Sequence, residues 1–363
     1  MPEINSPTAF QELVNSFRAS RIILTGAELK VFDHLCAPGS ASETVAGILG
    51  TDPRATNRLL NALVAIGLLQ KANGKFSNTA FSDKFLVSSA PLFLSNLSHT
   101  NRLWKSWSTL TDAVFAGTSV AVDQPINERD DDWQEAFIAA MHRRAGAQAI
   151  EVTDALDLSQ VKRVLDVGGG SGAFIMEFIK HNPEMTGIVF DLPKIVPITE
   201  KYLNERSDHS QPPLQREEKI RHPGSEIGDR RSEIRNPLSP ISNRISVMAG
   251  DYLKDSFGSG FDLIFMSAII HINSPEENRL LVKKGATALN PGGQLVILDH
   301  IMSHDRISPP NGALFAINML VGTLHGDTYT EAEIRLWMQK AGLKDIHVII
   351  TPSGVQLMVG ARL

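Results

Sequence analysis

Two rhythms of hydrophobic residues divide this chain. Up to about residue 160 the apolar positions recur at helical spacing, and from Val161 onward short apolar runs alternate with helical stretches. Ile22, Ile23, Leu24, Leu29, Val31, Phe32 and Leu35 give Phe17 to Leu35 one broad apolar face, which predicts an amphipathic helix. Ser40-Ala41-Ser42-Glu43-Thr44 opens a short helix to Leu49. Thr51-Asp52-Pro53 caps the next, with Leu59, Leu60, Leu63, Val64, Ile66, Leu68 and Leu69 inside. Lys71 to Phe76 reads as a tight turn between two short strands, so three helices and a hairpin predict a winged helix. Pro91 to Ile150 reads as further helix, with Trp104, Trp107, Phe115, Trp133, Phe137 and Met141 along it. Trp104 and Trp107, three apart, share a helix face.

Strands alternating with helices after Val161 predict a parallel sheet of the α/β class. Val164 to Val167 and Gly187 to Phe190 are its first two strands, followed by Ile245 onward, Phe261 to Ile270 and Gln294 to Leu298. Thr351-Pro352-Ser353-Gly354 joins Ile346–Ile350 to Gln356–Gly360, which predicts a closing antiparallel hairpin. Residues 204–243 interrupt the alternation: they are polar, hold five prolines (Pro212, Pro213, Pro223, Pro237 and Pro240) and mix charges evenly. A disordered surface insertion is expected there. The organisation expected is therefore 1–100, a helical linker and pocket region over 101–160, and a sheet domain over 161–363.

Composition narrows the class. The chain has 363 residues, 42% hydrophobic and 21% charged, which suits two packed domains of a soluble protein. A net charge of −5 argues against a surface dominated by nucleic-acid binding. Cys36 is the one cysteine, which excludes an intramolecular disulfide or a cysteine-rich metal site and fits a reducing compartment. Met1 to Phe10 lacks the basic-then-apolar order of a signal peptide, and no apolar run reaches the roughly eighteen residues of a spanning helix. A cytoplasmic protein without membrane contact is expected. The winged helix raises a DNA-binding reading, since its third helix offers Arg54, Arg58 and Asn61. Its other positions are mostly apolar, however, which favours burial against a second subunit over base reading.

The stretch Val164-Leu165-Asp166-Val167-Gly168-Gly169-Gly170-Ser171-Gly172 carries the candidate chemistry. A buried run ends in glycines that let the chain turn sharply and bring backbone N–H groups close to a ligand. Asp191 closes the second strand, and an acid there suits the hydroxyls of a ribose-bearing cofactor. Gly168, Gly170 and Gly172 are spaced Gly-x-Gly-x-Gly, unlike the dinucleotide fingerprint. With Asp166 just ahead, the turn looks more like an S-adenosylmethionine pattern than an NAD one.

LDVGGGSG at 165–172, FDLP at 190–193, GDY at 250–252 and FMSAIIH at 265–271 together resemble the plant-type S-adenosylmethionine-dependent O-methyltransferases. That family includes caffeic acid, flavonoid and hydroxyindole methyltransferases and bacterial relatives. The resemblance covers nearly the whole chain apart from the insertion. It implies a Rossmann-like class I methyltransferase sheet with an antiparallel terminal hairpin, and an α-rich N-terminal winged-helix domain that forms a homodimer. It places Asp166, Gly168 and Gly170 at the cofactor, with Gly168 near its methionine part and Asp191 and Leu192 at its ribose. Asp251 would accept from the adenine amino group and Tyr252 would pack beside the base. Ser267 stands where relatives often carry a lysine. The family's catalytic histidine falls on His271, and its two orienting carboxylates fall on Asp299 and Thr328. Asp327, beside Thr328, is the candidate to supply the second contact. Many relatives read His-Asp-Trp where this chain has His271-Ile272-Asn273. Trp107, Met141, Met319 and Thr323 are the expected substrate-pocket residues, forming a mixed apolar cavity.

A sulfonium methyl donor is already activated, so such an enzyme must align a nucleophile and remove its proton. An ordinary imidazole and a phenol differ by roughly 3.5 pKa units, about 5 kcal/mol, whereas an ordinary alcohol leaves roughly twice that deficit. The expected acceptor is therefore a phenolic or enolic hydroxyl on an aromatic or polyketide-like small molecule, with no metal required. Two alternatives fit the same motifs: carbon methylation of a tetrapyrrole or similar ring, and a winged-helix DNA-binding regulator that senses S-adenosylmethionine.

Overall fold

The computed structural model describes residues 4–94, 96–122, 131–208 and 241–363. The predicted insertion lies almost wholly outside the described residues. The chain divides into two compact units, Met1–Thr109 and Leu110–Leu363.

The first unit begins with α1 (Pro7–Asn15) and α2 (Phe17–Glu28). α2 is shorter than its apolar pattern suggests. Lys30 takes a left-handed backbone (φ 53°), and Val31–His34 then forms a single 3-10 turn. A straight helix would set Val31 and Phe32 about 100° apart around its axis; the break lets both reach near-complete burial. β1 (Ser40–Ala41), α3 (Ser42–Leu49), α4 (Pro53–Ala65), β2 (Leu69–Ala72) and β3 (Lys75–Asn78) complete the winged helix. Asp52 caps α4 by accepting the Ala55 amide at 2.8 Å. Asn73 and Gly74 (φ 49° and 75°) supply the pair of positive φ values that a two-residue hairpin demands. Val31, Phe32, Leu35, Val45, Leu60, Leu63, Leu69 and Phe76 form its core. Asn61 is tied to Asn57 and Lys71 at 2.7 and 2.8 Å, which commits a residue the DNA-reading alternative needed. α5 (Ala80–Phe85) and α6 (Asn96–Trp107) close the unit.

In the second unit, α7 (Leu110–Ala116) and α8 (Asp131–Ala155) precede the sheet. The strands are β4 (Arg163–Val167), β5 (Thr186–Asp191), β6 (Ile245–Ala249), β7 (Phe261–Ser267), β8 (Leu289–Leu298), β11 (Lys344–Ile350) and β12 (Gln356–Ala361), in the spatial order β11-β12-β8-β7-β4-β5-β6. The five strands from β8 to β6 are parallel, and the expected antiparallel hairpin β11–β12 closes the sheet against β8. α9 (Ala173–His181), α10 (Val196–Asp208), α11 (Pro275–Ala288), α12 (Pro310–Gly322) and α13 (Glu331–Lys340) fill the connections, with the short parallel pair β9 (Ile301–Met302) and β10 (Tyr329–Thr330).

Alternation along each strand makes two cores. Leu165, Ile264, Met266, Leu295 and Ile297 face α11 and α13, while Val164, Leu263, Phe265 and Val296 face α8 and α9. The strand order reverses at β4, which pairs with β5 on one side and β7 on the other. Open α/β sheets hold their ligands at the carboxyl ends of such a pair. Both the glycine turn after β4 and the segment after β7 lie there. Among the described residues, no helix is long and apolar enough to cross a membrane.

Candidate active site

The glycine turn is held by its neighbours. Gly168, Gly170 and Gly172 all have positive φ (66°, 54° and 72°). A Cβ on Gly168 would lie 2.6 Å from the Ile269 side chain, so only glycine passes there. The Gly168 amide donates to the Phe190 carbonyl at 2.8 Å, and the Gly170 amide to Asp191 Oδ2 at 2.8 Å. Asp191 Oδ1 accepts the Leu192 amide at 2.8 Å, so Leu192 contributes through its backbone. Burial raises the Asp191 pKa to about 6, with those two amide bonds opposing the shift. Asp166, one strand across, is 1% exposed and neither of its carboxyl oxygens has a hydrogen-bond partner. Burial first, and the charge of Asp191 second, raise it to about 8.

Asp251 follows β6. Its Oδ1 accepts the Leu253 amide at 2.9 Å and its Oδ2 meets Lys254 at 3.0 Å. Tyr252 donates its hydroxyl to Asn273 Oδ1 at 3.0 Å, and burial, ahead of nearby carboxylates, pushes its pKa up. Ser267 is the last residue of β7 and is half-buried. Asp166, Asp191 and Asp251 thus give the turn three carboxyls at the strand ends. The charge of Asp191 and Asp251 disfavours a diphosphate and suits a ribosyl cofactor that bears positive charge. The glycine cradle, the lone pairs left on Asp191 and the orphaned oxygens of Asp166 fit S-adenosylmethionine.

His271 does not sit on the end of a strand reaching Ile270, as the apolar run suggested. β7 stops at Ser267, Ala268 turns left-handed (φ 55°), and Ile270–Ile272 form a 3-10 turn that carries the imidazole. Ile269 and Ile270 are buried in that turn, which is why the apolar run continues past the strand. His271 Nδ1 lies 2.8 and 3.0 Å from the two Asp299 oxygens. A carboxylate only accepts, so Nδ1 carries the proton and Nε2 keeps its lone pair. Burial works to raise the Asp299 pKa, but attraction to the His271 ring and the bonds from that ring and from the His300 amide outweigh it and leave Asp299 below the ordinary value.

Asp327 is adjacent but differently employed. Its amide donates to the His271 carbonyl at 3.0 Å, while its carboxylate takes the Thr328 amide at 2.7 Å and Arg306 at 3.2 Å. The second carboxylate contact expected for the imidazole is not made by Asp327; its backbone, not its side chain, meets the His271 segment. Thr328 is 2% exposed. Gly326 is needed beside it, since a Cβ there would overlap the His271 carbonyl oxygen.

A buried amide network stands behind the turn, and sequence reasoning missed it. Asn278, fully buried on α11, donates to the Ile270 carbonyl at 2.8 Å and accepts from Asn273 Nδ2 at 3.2 Å. Asn273 accepts from Tyr252 through its side chain and from the Tyr329 hydroxyl through its carbonyl. Phe315 on α12 meets the His271 ring edge-on at 4.9 Å and stacks on His300 at 4.1 Å. Asn273 and Asn278 were visible only as polar residues among apolar ones. Phe315 gave no signal.

The expected substrate residues fall in both units. Trp107 belongs to the first unit and is 38% exposed. Met141 on α8 is half-buried, and His142 beside it lies 2.7 Å from the Ser171 hydroxyl of the glycine turn. Met319 is 7% exposed on α12. Thr323 is 6% exposed and its hydroxyl is committed, donating to the Met319 carbonyl and accepting the Gly326 amide at 2.7 and 2.9 Å. Thr323 therefore shapes the loop to Gly326 rather than offering a free polar group. Among the described residues, no three His, Cys, Asp or Glu side chains cluster so as to hold a metal ion.

Comparison with known proteins bears on this site. An O-methyltransferase domain model matches residues 107–213 and 234–344, and an O-methyltransferase dimerisation domain model matches residues 11–88. The unmatched residues 214–233 fall inside the predicted insertion. A 3-hydroxy-5-methyl-1-naphthoate 3-O-methyltransferase from Streptomyces sahachiroi is 26% identical over 96% of this chain and 92% of its own. An acetylserotonin O-methyltransferase from Gallus gallus is 27% identical over 99% of both chains. Among solved structures, PigF with SAH matches with a TM-score of 0.82 at 22% identity, over 98% of this chain and 100% of that one. Human N-acetylserotonin methyltransferase in complex with SAM matches with a TM-score of 0.76 at 22% identity, over 100% and 99%. Neither carbon methylation nor a DNA-binding regulator finds support in these matches.

Proposed function

The chain belongs to the O-methyltransferase family, and from that premise we propose that His271 is the general base for methylation of a phenolic or enolic hydroxyl on a small aromatic or polyketide-like molecule. The protein is an enzyme that uses S-adenosylmethionine. The cofactor supplies a methyl group already activated on a sulfonium, which leaves deprotonation and alignment to the chain. The single observation that carries the base assignment is the His271–Asp299 pair. Asp299 fixes the Nδ1–H tautomer and keeps Nε2 open as the acceptor of the substrate's proton. It also holds a negative charge behind the ring, which stabilises the imidazolium once the proton arrives. Phe315, edge-on to His271, supplies an aromatic wall against which a planar acceptor can lie.

The cofactor roles follow the same reading. Asp191 accepts from the ribose hydroxyls, Asp251 from the adenine amino group, and the Gly168–Gly170 backbone leaves room for the methionine part. Asp166 meets the positive end of the cofactor through its unpaired oxygens. Relatives acting on hydroxynaphthoate and acetylserotonin agree with an aromatic acceptor.

The experiment is His271→Ala assayed against a panel of phenolic compounds with isotopically labelled cofactor. Removal of a general base should cost roughly 10²- to 10⁴-fold in kcat, while S-adenosylhomocysteine binding by calorimetry stays within threefold of wild type. Turnover near the wild-type value would remove His271 from this role.

A further inference from the structure

Two groups able to carry positive charge meet beside His271 with no anion between them. Arg144 reaches from α8 to 3.3 Å from His300 Nε2. His300 follows Asp299, stacks on Phe315 and lies 6.5 Å, ring to ring, from His271. A guanidinium only donates, so Nε2 must accept and the His300 proton sits on Nδ1. Burial, and then the charges of Arg144 and His271, push the His300 pKa down to about 4 against the raising effect of Asp299. His300 is thus a neutral ring that spends its lone pair on a cation.

Arg144 has no carboxylate partner among the described residues. Asp299, which neighbours His300, is committed to the His271 ring and to the His300 amide. An arginine needed only for solubility would extend into water from its exposed helix face. This one is instead drawn to an imidazole that cannot bear a second charge, close to the proposed base and its aromatic wall. A planar fork of guanidinium N–H groups recognises carboxylates in two-point fashion, and one contact to His300 leaves N–H groups to spare.

We propose that Arg144, aimed by His300, forms an acid-binding subsite, so that the methyl acceptor is an aromatic hydroxy acid whose carboxylate lies on the guanidinium while its ring packs along Phe315 and its hydroxyl reaches His271. This rests on the base assignment above, because Arg144 meets His300, whose ring lies 6.5 Å from that of His271, and this placement pairs an acid with a hydroxyl on one molecule.

The test titrates matched hydroxynaphthoates and naphthols into the full-length protein loaded with S-adenosylhomocysteine, by calorimetry, and follows methyl transfer to the same compounds. Wild type should bind the hydroxynaphthoates roughly tenfold or more tightly than the naphthols. Arg144→Met, or Arg144→Gln if the first variant fails to fold, should bring the two affinities together, and Arg144→Lys should retain part of the preference. Equal affinities in wild type, binding of neither class, or a preference that survives loss of the guanidinium overturns the subsite. The His271→Ala variant separates the two readings. It should keep the carboxylate preference in binding while losing turnover. Retained turnover there removes the base assignment and leaves the subsite standing.

Discussion

Asp166 carries a carboxyl into the sheet without a hydrogen bond on either oxygen, and its pKa of about 8 reflects burial and then the charge of Asp191. An unfolded aspartate titrates near 3.9, so the folded chain holds this proton more tightly than the unfolded one. The sign follows from that difference. Stability from this group is complete below about pH 4 and is lost as the pH rises through about 8. Asp166→Asn cannot ionise and should remove the slope. In thermal denaturation of the ligand-free protein at pH 8, the variant should be more stable by roughly 2 kcal/mol or more, with the gap closing below pH 5. Identical melting of both proteins at pH 5 and pH 8 would mean that the carboxyl ionises freely. At Asp299 the logic reverses, since its charge is held by His271. Asp299→Asn keeps the shape but loses the charge and exchanges one of two acceptor oxygens for an NH2 donor, which no longer fixes the imidazole tautomer, so kcat should fall roughly 10²-fold or more with cofactor affinity little changed. Asp166 was legible in the sequence as the acid just ahead of the glycine turn, and Asp299 through the resemblance, which places an orienting carboxylate at that strand end. The partners of His300 were not legible, since Arg144 is 156 residues away along the chain.

At the scale of the element, the turn that carries His271 shows where pattern reading stops. Ten residues from Phe261 to Ile270, eight of them apolar, read as one strand, yet Ala268 breaks it with a left-handed backbone. A buried turn and a buried strand expose the same faces to the core, so hydrophobicity alone cannot separate them. The glycine turn, by contrast, was readable because only glycine tolerates three positive φ values within five residues. Ser274 and Glu277 were readable too, and they form the capping box that starts α11. What fixes the His271 turn is the amide of Asn278, four residues into that helix, bonded back to the Ile270 carbonyl. Asn278→Ala would leave the Asn273 side-chain amide unpaired in a buried setting and the Ile270 carbonyl with only the long 3.3 Å bond from the Asn273 backbone N–H. It should destabilise the protein by about 2–3 kcal/mol and lower kcat as the imidazole loses its placement. Tyr252→Phe removes only one hydroxyl from the same network and should cost about 1 kcal/mol. Denaturant melts of the two variants side by side check the ranking. Equal losses would show that the network is not anchored at Asn278.

For the whole molecule, the chain divides at 109/110, inside the region that its helical periodicity read as continuous. Periodicity reports which face of a helix is apolar and not which body it packs on, so α6 and α7 could not be assigned to different units in advance. The same limit applied to α1, which lies ahead of the first predicted helix. None of its residues is buried, and a nine-residue helix in water is marginal without tertiary support. Yet Phe10, Leu13, Val14 and Phe17 recur at helical spacing and are 42–54% exposed, forming one apolar stripe. One such side chain on a surface is ordinary, but four in register mark a surface that another molecule covers. The dimerisation-domain match over residues 11–88 makes a second copy of this chain the expected cover. Light scattering should therefore give twice the 39.7 kDa chain mass at micromolar concentration. Phe10→Glu combined with Val14→Glu should give the single-chain mass, and hydrogen exchange over residues 7–15 should lose its protection in that variant. A wild-type monomer whose α1 amides are protected would show that the stripe is covered within one chain.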